Sequence, residues 1–310
     1  MSAMIVLGQM LVLFAMMAIG YFAWKKQWID GRSQKGISKL VVDVFNPLLV
    51  ISGIVGYDYE NSTLNVGQNM IFVVIYFLLF LVAGWIITFV LRLKRPQKQF
   101  YQMMMMFSNI GFIGIPLVTA LLGKEYVLYV AFYVLIYNIL LYTYGMYLAV
   151  KSNGDEEGGS ISFPIRKVLN PGVFGCLAAI LIFVCRIRIP APVETFVTYM
   201  GDTCIPLSMI LIGASVAQMD LRRLFSDGKM YVFLAVKMLV LPIAAALLCR
   251  QLPVDRGIYQ VFVLECAVPV GSIITLMAKE YGDEDDSPTI GVVLSTLLSV
   301  ITIPVVALFL

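Results

Sequence analysis

An all-α integral membrane protein is the fold class this sequence predicts, and three observations predict it. Of the 310 residues, 60% are hydrophobic and 13% are charged, and the mean hydropathy is +0.91. A soluble domain is about half apolar and about a quarter charged, so this chain has too few polar side chains to cover a surface in water. Apolar runs of about 20 residues, the length that crosses a bilayer as a helix, recur from end to end. Lysine and arginine crowd into every second connection between those runs.

Ten spans are expected, at roughly 3–23, 37–56, 66–91, 99–122, 127–149, 168–186, 195–217, 230–249, 257–279 and 288–309. The first has no basic residue ahead of its apolar run, so it reads as a retained helix and not as a signal peptide. The second carries Asn46-Pro47, which bends or breaks it, with Ser52 following. Lys39 and Asp43 there have the i,i+4 spacing of a helical ion pair. The third span has no acidic residue. The fourth carries Asn109-Ile110-Gly111-Phe112-Ile113-Gly114-Ile115-Pro116, and the run Met103 to Met106 before it reads as adaptable packing. The fifth contains Asn138. Asn170-Pro171 opens the sixth, where proline is tolerated in a first turn. Asp202 begins the seventh, at the membrane edge. Lys237 lies midway along the eighth and Glu265 in the ninth, one turn before Val268-Pro269-Val270-Gly271-Ser272.

Orientation follows from the charges. Lys25, Lys26, Arg32, Lys35 and Lys39 fill the first connection. Arg92, Lys94, Arg95 and Lys98 fill the third, Lys151, Arg166 and Lys167 the fifth, Arg222, Arg223 and Lys229 the seventh, and Lys279 the ninth. The other side holds Lys124, Arg186, Arg188, Arg250 and Arg256. Positive charge accumulates on the cytoplasmic side, which predicts a plasma-membrane protein with both termini outside. The acidic, glycine-rich connection around 154–160 reads as a solvated linker. It divides the chain into a first five-helix repeat (1–150), a linker (151–167) and a second repeat (168–310). Asn61-Ser62-Thr63 fits a glycosylation sequon in an outer connection.

The two halves match. Lys124-Glu125-Tyr126 recurs as Lys279-Glu280-Tyr281, and the same offset lays Gly114-Ile115-Pro116 over Pro269-Val270-Gly271. Five spans per half is an odd number, so the second copy enters the membrane from the opposite side, as the charges also require. Inverted repeats with a broken helix in each are the sequence pointer to a transporter whose site lies at mid-membrane. Asn109, Gly111, Gly114 and Pro116, with Pro269, Gly271 and Ser272, are the expected binding residues. Freed helix N-termini there would favour an anion, most simply a carboxylate. Ser52 and Asn138 either face the cavity or bond a neighbouring helix. Glu265 and Lys237 either pair with each other or serve ion coupling.

Other chemistries find no support. There is no histidine, so imidazole relays and His-based triads are excluded. The five cysteines stand singly, giving neither metal spacing nor a disulfide framework. No ATP-binding motif occurs. No enzyme, cofactor, metal or nucleic-acid partner is expected; the partners are a small organic anion and the lipid bilayer.

The chain resembles the auxin efflux carrier family, including its bacterial members. The resemblance rests on SNIGFIGIPLV at 108–118 and VPVGSIITLMAKEYG at 268–282, with LST at 294–296, IGASVA at 212–217 and NPG at 170–172. It implies ten spans in two inverted repeats, crossed broken helices at Pro116 and Pro269, a scaffold bundle and a transport bundle, and often a homodimer. It also implies that Asn109 belongs to the family's substrate-contacting asparagine position. Family substrates include auxin in plants and malonate or malate in bacteria. The short central linker departs from the long loop of many plant carriers and favours an organic-acid, malonate-type permease. Span three has no acidic residue, so a carboxylate role there is not carried over. The expected function is a secondary transporter of small organic anions by alternating access. The alternatives are a sodium-coupled symporter of the bile-acid-transporter-like type and a membrane receptor that binds without moving its ligand.

Overall fold

A computed structural model describes residues 3–55, 65–152, 170–218, 228–280 and 287–310. The sequon at Asn61, most of the central linker, Arg222 and Arg223, and Tyr281 of the repeated triplet lie outside the described residues.

Every described element is helical. In chain order these are α1 (Ala3–Lys25), α2 (Gly31–Leu40), α3 (Asn46–Ser52), α4 (Val66–Val90), α5 (Gln97–Met106), α6 (Ile115–Leu121), α7 (Val127–Leu140) and α8 (Met146–Ser152). They continue as α9 (Pro171–Val184), α10 (Ala191–Asp202), α11 (Cys204–Ala217), α12 (Gly228–Ala235), α13 (Leu241–Cys249), α14 (Arg256–Ala267), α15 (Ile273–Glu280) and α16 (Ser287–Ala307). Five continuous helical stretches are long and apolar enough to cross a membrane: Val66–Val90, Lys124–Ser152, Ala191–Ala217, Gly228–Cys249 and Ser287–Ala307. Shorter apolar helices lie at Leu11–Lys25, Ile110–Leu121 and Pro171–Val184. Of the remaining expected spans, α1 runs unbroken, the second runs from Gly31 to Ser52 through a π-helical turn, the sixth is the shorter helix Pro171–Val184, and the fourth and ninth are broken. Helices suit this role because each backbone N–H and C=O is bonded within its own segment, away from water. Along α4, Ile71, Val74, Leu78, Val82, Trp85 and Phe89 stay exposed, an apolar surface that lipid can cover.

Local chemistry sets several helix starts and turns. Asp30 caps α2 by accepting from the Ser33 N–H at 2.7 Å and the Ser33 hydroxyl at 2.6 Å. Those bonds, the hydroxyl first, hold its carboxyl below the usual carboxylate range. Asn170 caps α9 by accepting from the Val173 N–H at 3.1 Å, with Pro171 in the first turn, where no donor is missed. Asn46-Pro47 is entered through a π-helical turn, Val41–Phe45. Lys39 and Asp43 flank the start of that turn and form no ion pair among the described residues. The wider turn rotates them off the i,i+4 alignment that the sequence spacing assumed.

The chain folds into two compact units. One comprises Met1–Val66, Gly111–Leu135 and Leu169–Met219; the other comprises Gly67–Ile110, Ile136–Val168 and Asp220–Leu310. Each unit draws on both halves of the sequence. In the first unit, α1 packs on α11 with almost no side-chain layer between them. A Cβ on Gly20 would run into the Ile210 backbone, and one on Gly213 into the Met17 backbone. That explains the glycine of the IGASVA motif: small residues let membrane helices approach closely. Lys124 and Asp202 form an ion pair at 2.6 Å, with 38% and 49% of each side chain exposed, a position suited to a membrane edge. In the second unit, the methionines at 103–106 are at most 3% exposed, and a Cβ on Gly291 would strike the Met104 sulfur.

Candidate functional site

In the second unit, α5 and α14 end in extended segments that meet. Helix α5 ends at Met106, and Phe107 leaves the helical region with φ −105° and ψ 83°. Helix α14 ends at Ala267, and Val268 is extended with φ −64° and ψ 136°. The residue before a proline is pushed out of the helical region, so Pro269 accounts for the second break. The two extended segments pair as a single antiparallel bridge between Ser108 and Val270. Asn109 N–H donates to Pro269 C=O at 2.8 Å, and Gly271 N–H donates to Phe107 C=O at 2.9 Å. The Val270 N–H donates to the Ser295 hydroxyl at 3.1 Å. Ser295 comes from α16 and belongs to the LST motif.

Sequence reasoning places the first break across Asn109 to Pro116. The structure places it earlier, at Phe107, Ser108 and Asn109. Gly111 and Gly114 lie in a π-helical turn, Ile110–Gly114, which runs straight into α6 with Pro116 in its first turn. Pro116 has no N–H to donate back along the helix, and the wide turn ahead of it accommodates that loss. Gly111 approaches Asn46, whose Nδ2 would lie 3.3 Å from an added Cβ.

Gly271 is held more tightly. A Cβ there would lie 2.9 Å from Phe107 O, 3.1 Å from Ser108 O and 3.2 Å from the Tyr137 hydroxyl. Tyr137 itself meets the Phe107 ring edge-on, at a centroid distance of 5.4 Å. Beyond Gly271, Ser272 is exposed and precedes α15, an eight-residue helix whose Ile274 and Thr275 N–H groups donate to Gly271 and Ser272 C=O, each at 3.2 Å.

Lys237 does not pair with Glu265. It is fully buried, and its Nζ donates to Met105 C=O at 2.9 Å and to the Ser108 hydroxyl at 2.7 Å. It also sits 4.6 Å above the centre of the Phe80 ring. The Tyr76 hydroxyl donates to the same Ser108 oxygen at 3.1 Å. The Lys237 amine therefore caps the carbonyl end of α5 and fixes the bridge residue beside Asn109. Glu265 is also fully buried, and neither of its carboxyl oxygens has a hydrogen-bond partner among the described residues.

The other expected residues divide. Asn109 is in this cluster, 7% exposed and engaged in polar contact. Asn138 follows Tyr137 on α7, half-buried and also engaged. Ser52 belongs to the first unit, and its hydroxyl donates to its own helix at Leu49 C=O, 2.8 Å away. Ser108, Tyr76 and Ser295 were not singled out from sequence. Ser108 and Ser295 stood inside quoted motifs, whereas Tyr76 had no signal beyond its place in an apolar span. Among the described residues, no group of three or more His, Cys, Asp or Glu side chains is placed to hold a metal ion.

Residues 5–307 match the membrane transport protein family. The chain belongs to that family. It is a multi-pass membrane protein of the auxin efflux carrier superfamily, a group of transporters and not of enzymes. An uncharacterized transporter of Methanothermobacter thermautotrophicus is similar at 25% identity over 197 residues, 63% of this chain and 63% of that protein. The lysosomal cholesterol signaling protein of Mus musculus is similar at 23% identity over 328 residues, covering 92% of this chain and 35% of that protein. This membrane transport family chain therefore spans less than two thirds of either relative.

Proposed function

We propose that this protein is a secondary transporter that moves a small organic anion, a mono- or dicarboxylate of the malonate or malate type, by alternating access. The observation that carries the reading is the antiparallel meeting of two broken helices at Ser108 and Val270. Bilayer-spanning helices break only where the freed backbone packs on protein or lines a cavity. Asn109, with Ser272, supplies the neutral donors, and the buried Lys237 biases the cluster toward negative charge. The geometry narrows the donor set: the Asn109, Val270 and Gly271 amides hold the crossing together and the Ile274 and Thr275 amides donate to the Gly271 and Ser272 carbonyls, so substrate meets side chains instead. Ten spans, two inverted five-helix repeats, outward termini and a homodimer complete the proposal. The recurring triplet and the alternating basic connections support the repeats and the orientation.

A thermal-shift screen against small carboxylates tests this. A ligand at about 100 times its Kd stabilises the folded form by about 2.7 kcal/mol. At least one mono- or dicarboxylate should raise the Tm of the wild type, and Asn109→Ala should lose that shift while melting cooperatively. An Asn109→Ala protein that keeps the full shift removes Asn109 from the site.

A sodium-coupled symporter is the second reading, and Glu265 favours it. A buried carboxyl with no bonded neighbour among the described residues is a ready cation or proton ligand. Glu265→Gln should then abolish sodium-dependent uptake. Sodium-independent uptake by the wild type removes this reading.

A further inference from the structure

A cavity lies in the same unit, away from the crossed helices. It measures about 840 Å³, is open to one side, and is lined by the end of α4, the connection after it, α5, the turn holding Tyr144 and α8. Its rim carries Lys94, Arg95, Lys98 and Lys151. Its wall is aromatic and already organised. Trp85 Nε1 donates to the Tyr144 hydroxyl at 3.0 Å, and the Tyr144 ring stacks on Tyr147 at 6.3 Å and 27°. Lys151 Nζ donates to the Tyr147 hydroxyl at 3.0 Å and lies 5.2 Å from its ring centre.

Two features define the ligand. The aromatic flank faces outward, with Phe89 82% and Trp85 56% exposed, on the last two turns of a spanning helix. A water-borne anion would make no use of that flank, whereas an acyl chain lies against it while the headgroup reaches the cations. Basic pockets at a membrane surface hold acidic lipid headgroups by this division of labour. Second, Lys94, Lys98 and Lys151 line the cavity together, and the lipid group that converging ammonium ions hold is an acidic headgroup.

We infer that this cavity binds an acidic glycerophospholipid, with phosphatidylglycerol as the probe. The phosphate lies among Lys94, Lys98 and Lys151, and one acyl chain runs along Trp85 and Phe89. The inference needs only the membrane setting and not the transport reading, because none of these residues belongs to the crossed-helix cluster.

Native mass spectrometry of the full chain, titrated with defined lipids, tests it. Phosphatidylglycerol should be retained at least tenfold more tightly than phosphatidylcholine, and soluble glycerol 3-phosphate should not displace it. The combined Lys94→Gln, Lys98→Gln and Lys151→Gln variant should lose that preference. Equal retention of the two lipids overturns the site. Displacement by glycerol 3-phosphate overturns the lipid assignment in favour of a soluble anion.

Discussion

Gly271 shows how tightly one residue is held at the crossing. Three oxygens lie within 3.2 Å of the place its Cβ would occupy, and two of them are backbone carbonyls of the opposing segment. Backbone cannot swing aside as a flexible side chain can. Gly271→Ala should therefore destabilise the folded protein by about 1–3 kcal/mol, read as a lowered Tm in detergent. Gly36 in α2 has nothing within 4 Å of its added Cβ, so Gly36→Ala should stabilise by about 0.5–1 kcal/mol. Equal melting of the two variants would contradict the packing described. Lys237 teaches a related lesson. Sequence shows a lysine within an apolar span, which demands a partner, and Glu265 is the nearest intramembrane acid by inspection. The actual partners are a carbonyl at a helix end and a serine hydroxyl. Neither is readable as a partner, because a helix must first be known to end at Met106.

At the scale of elements, the proline of one segment announces its break and the other break has no such marker. Pro269 forces Val268 out of the helix, and the second interruption lies where sequence expects it. Phe107 and Ser108 contain neither proline nor glycine. Their departure from helix is supported by the bridge to Val270, a contact 162 positions away in the chain that no local rule anticipates. Pro116 misled because a proline in the first turn of a helix costs little. The Ser295 hydroxyl of α16 completes the joint by accepting from Val270 N–H. Ser295→Ala strands that buried amide and should cost about 1–3 kcal/mol in thermal unfolding. The same variant with an unchanged Tm would show that the joint does not depend on α16.

At the scale of the molecule, composition and charge were legible where local geometry was not. The 60% hydrophobic content fixes the membrane class, and five continuous helices of spanning length bear it out. The compact units were not legible, because each is assembled from segments of both sequence halves. The central claim is that the joined, broken helices form a carboxylate site and that the protein carries its occupant across the bilayer. Uptake of radiolabelled malonate or malate into proteoliposomes measures this directly. Wild-type protein should accumulate label above protein-free vesicles, and Asn109→Ala should cut the initial rate about tenfold or more, equivalent to about 1.4 kcal/mol. Ligand binding without any flux, or undiminished flux in Asn109→Ala, would contradict the account.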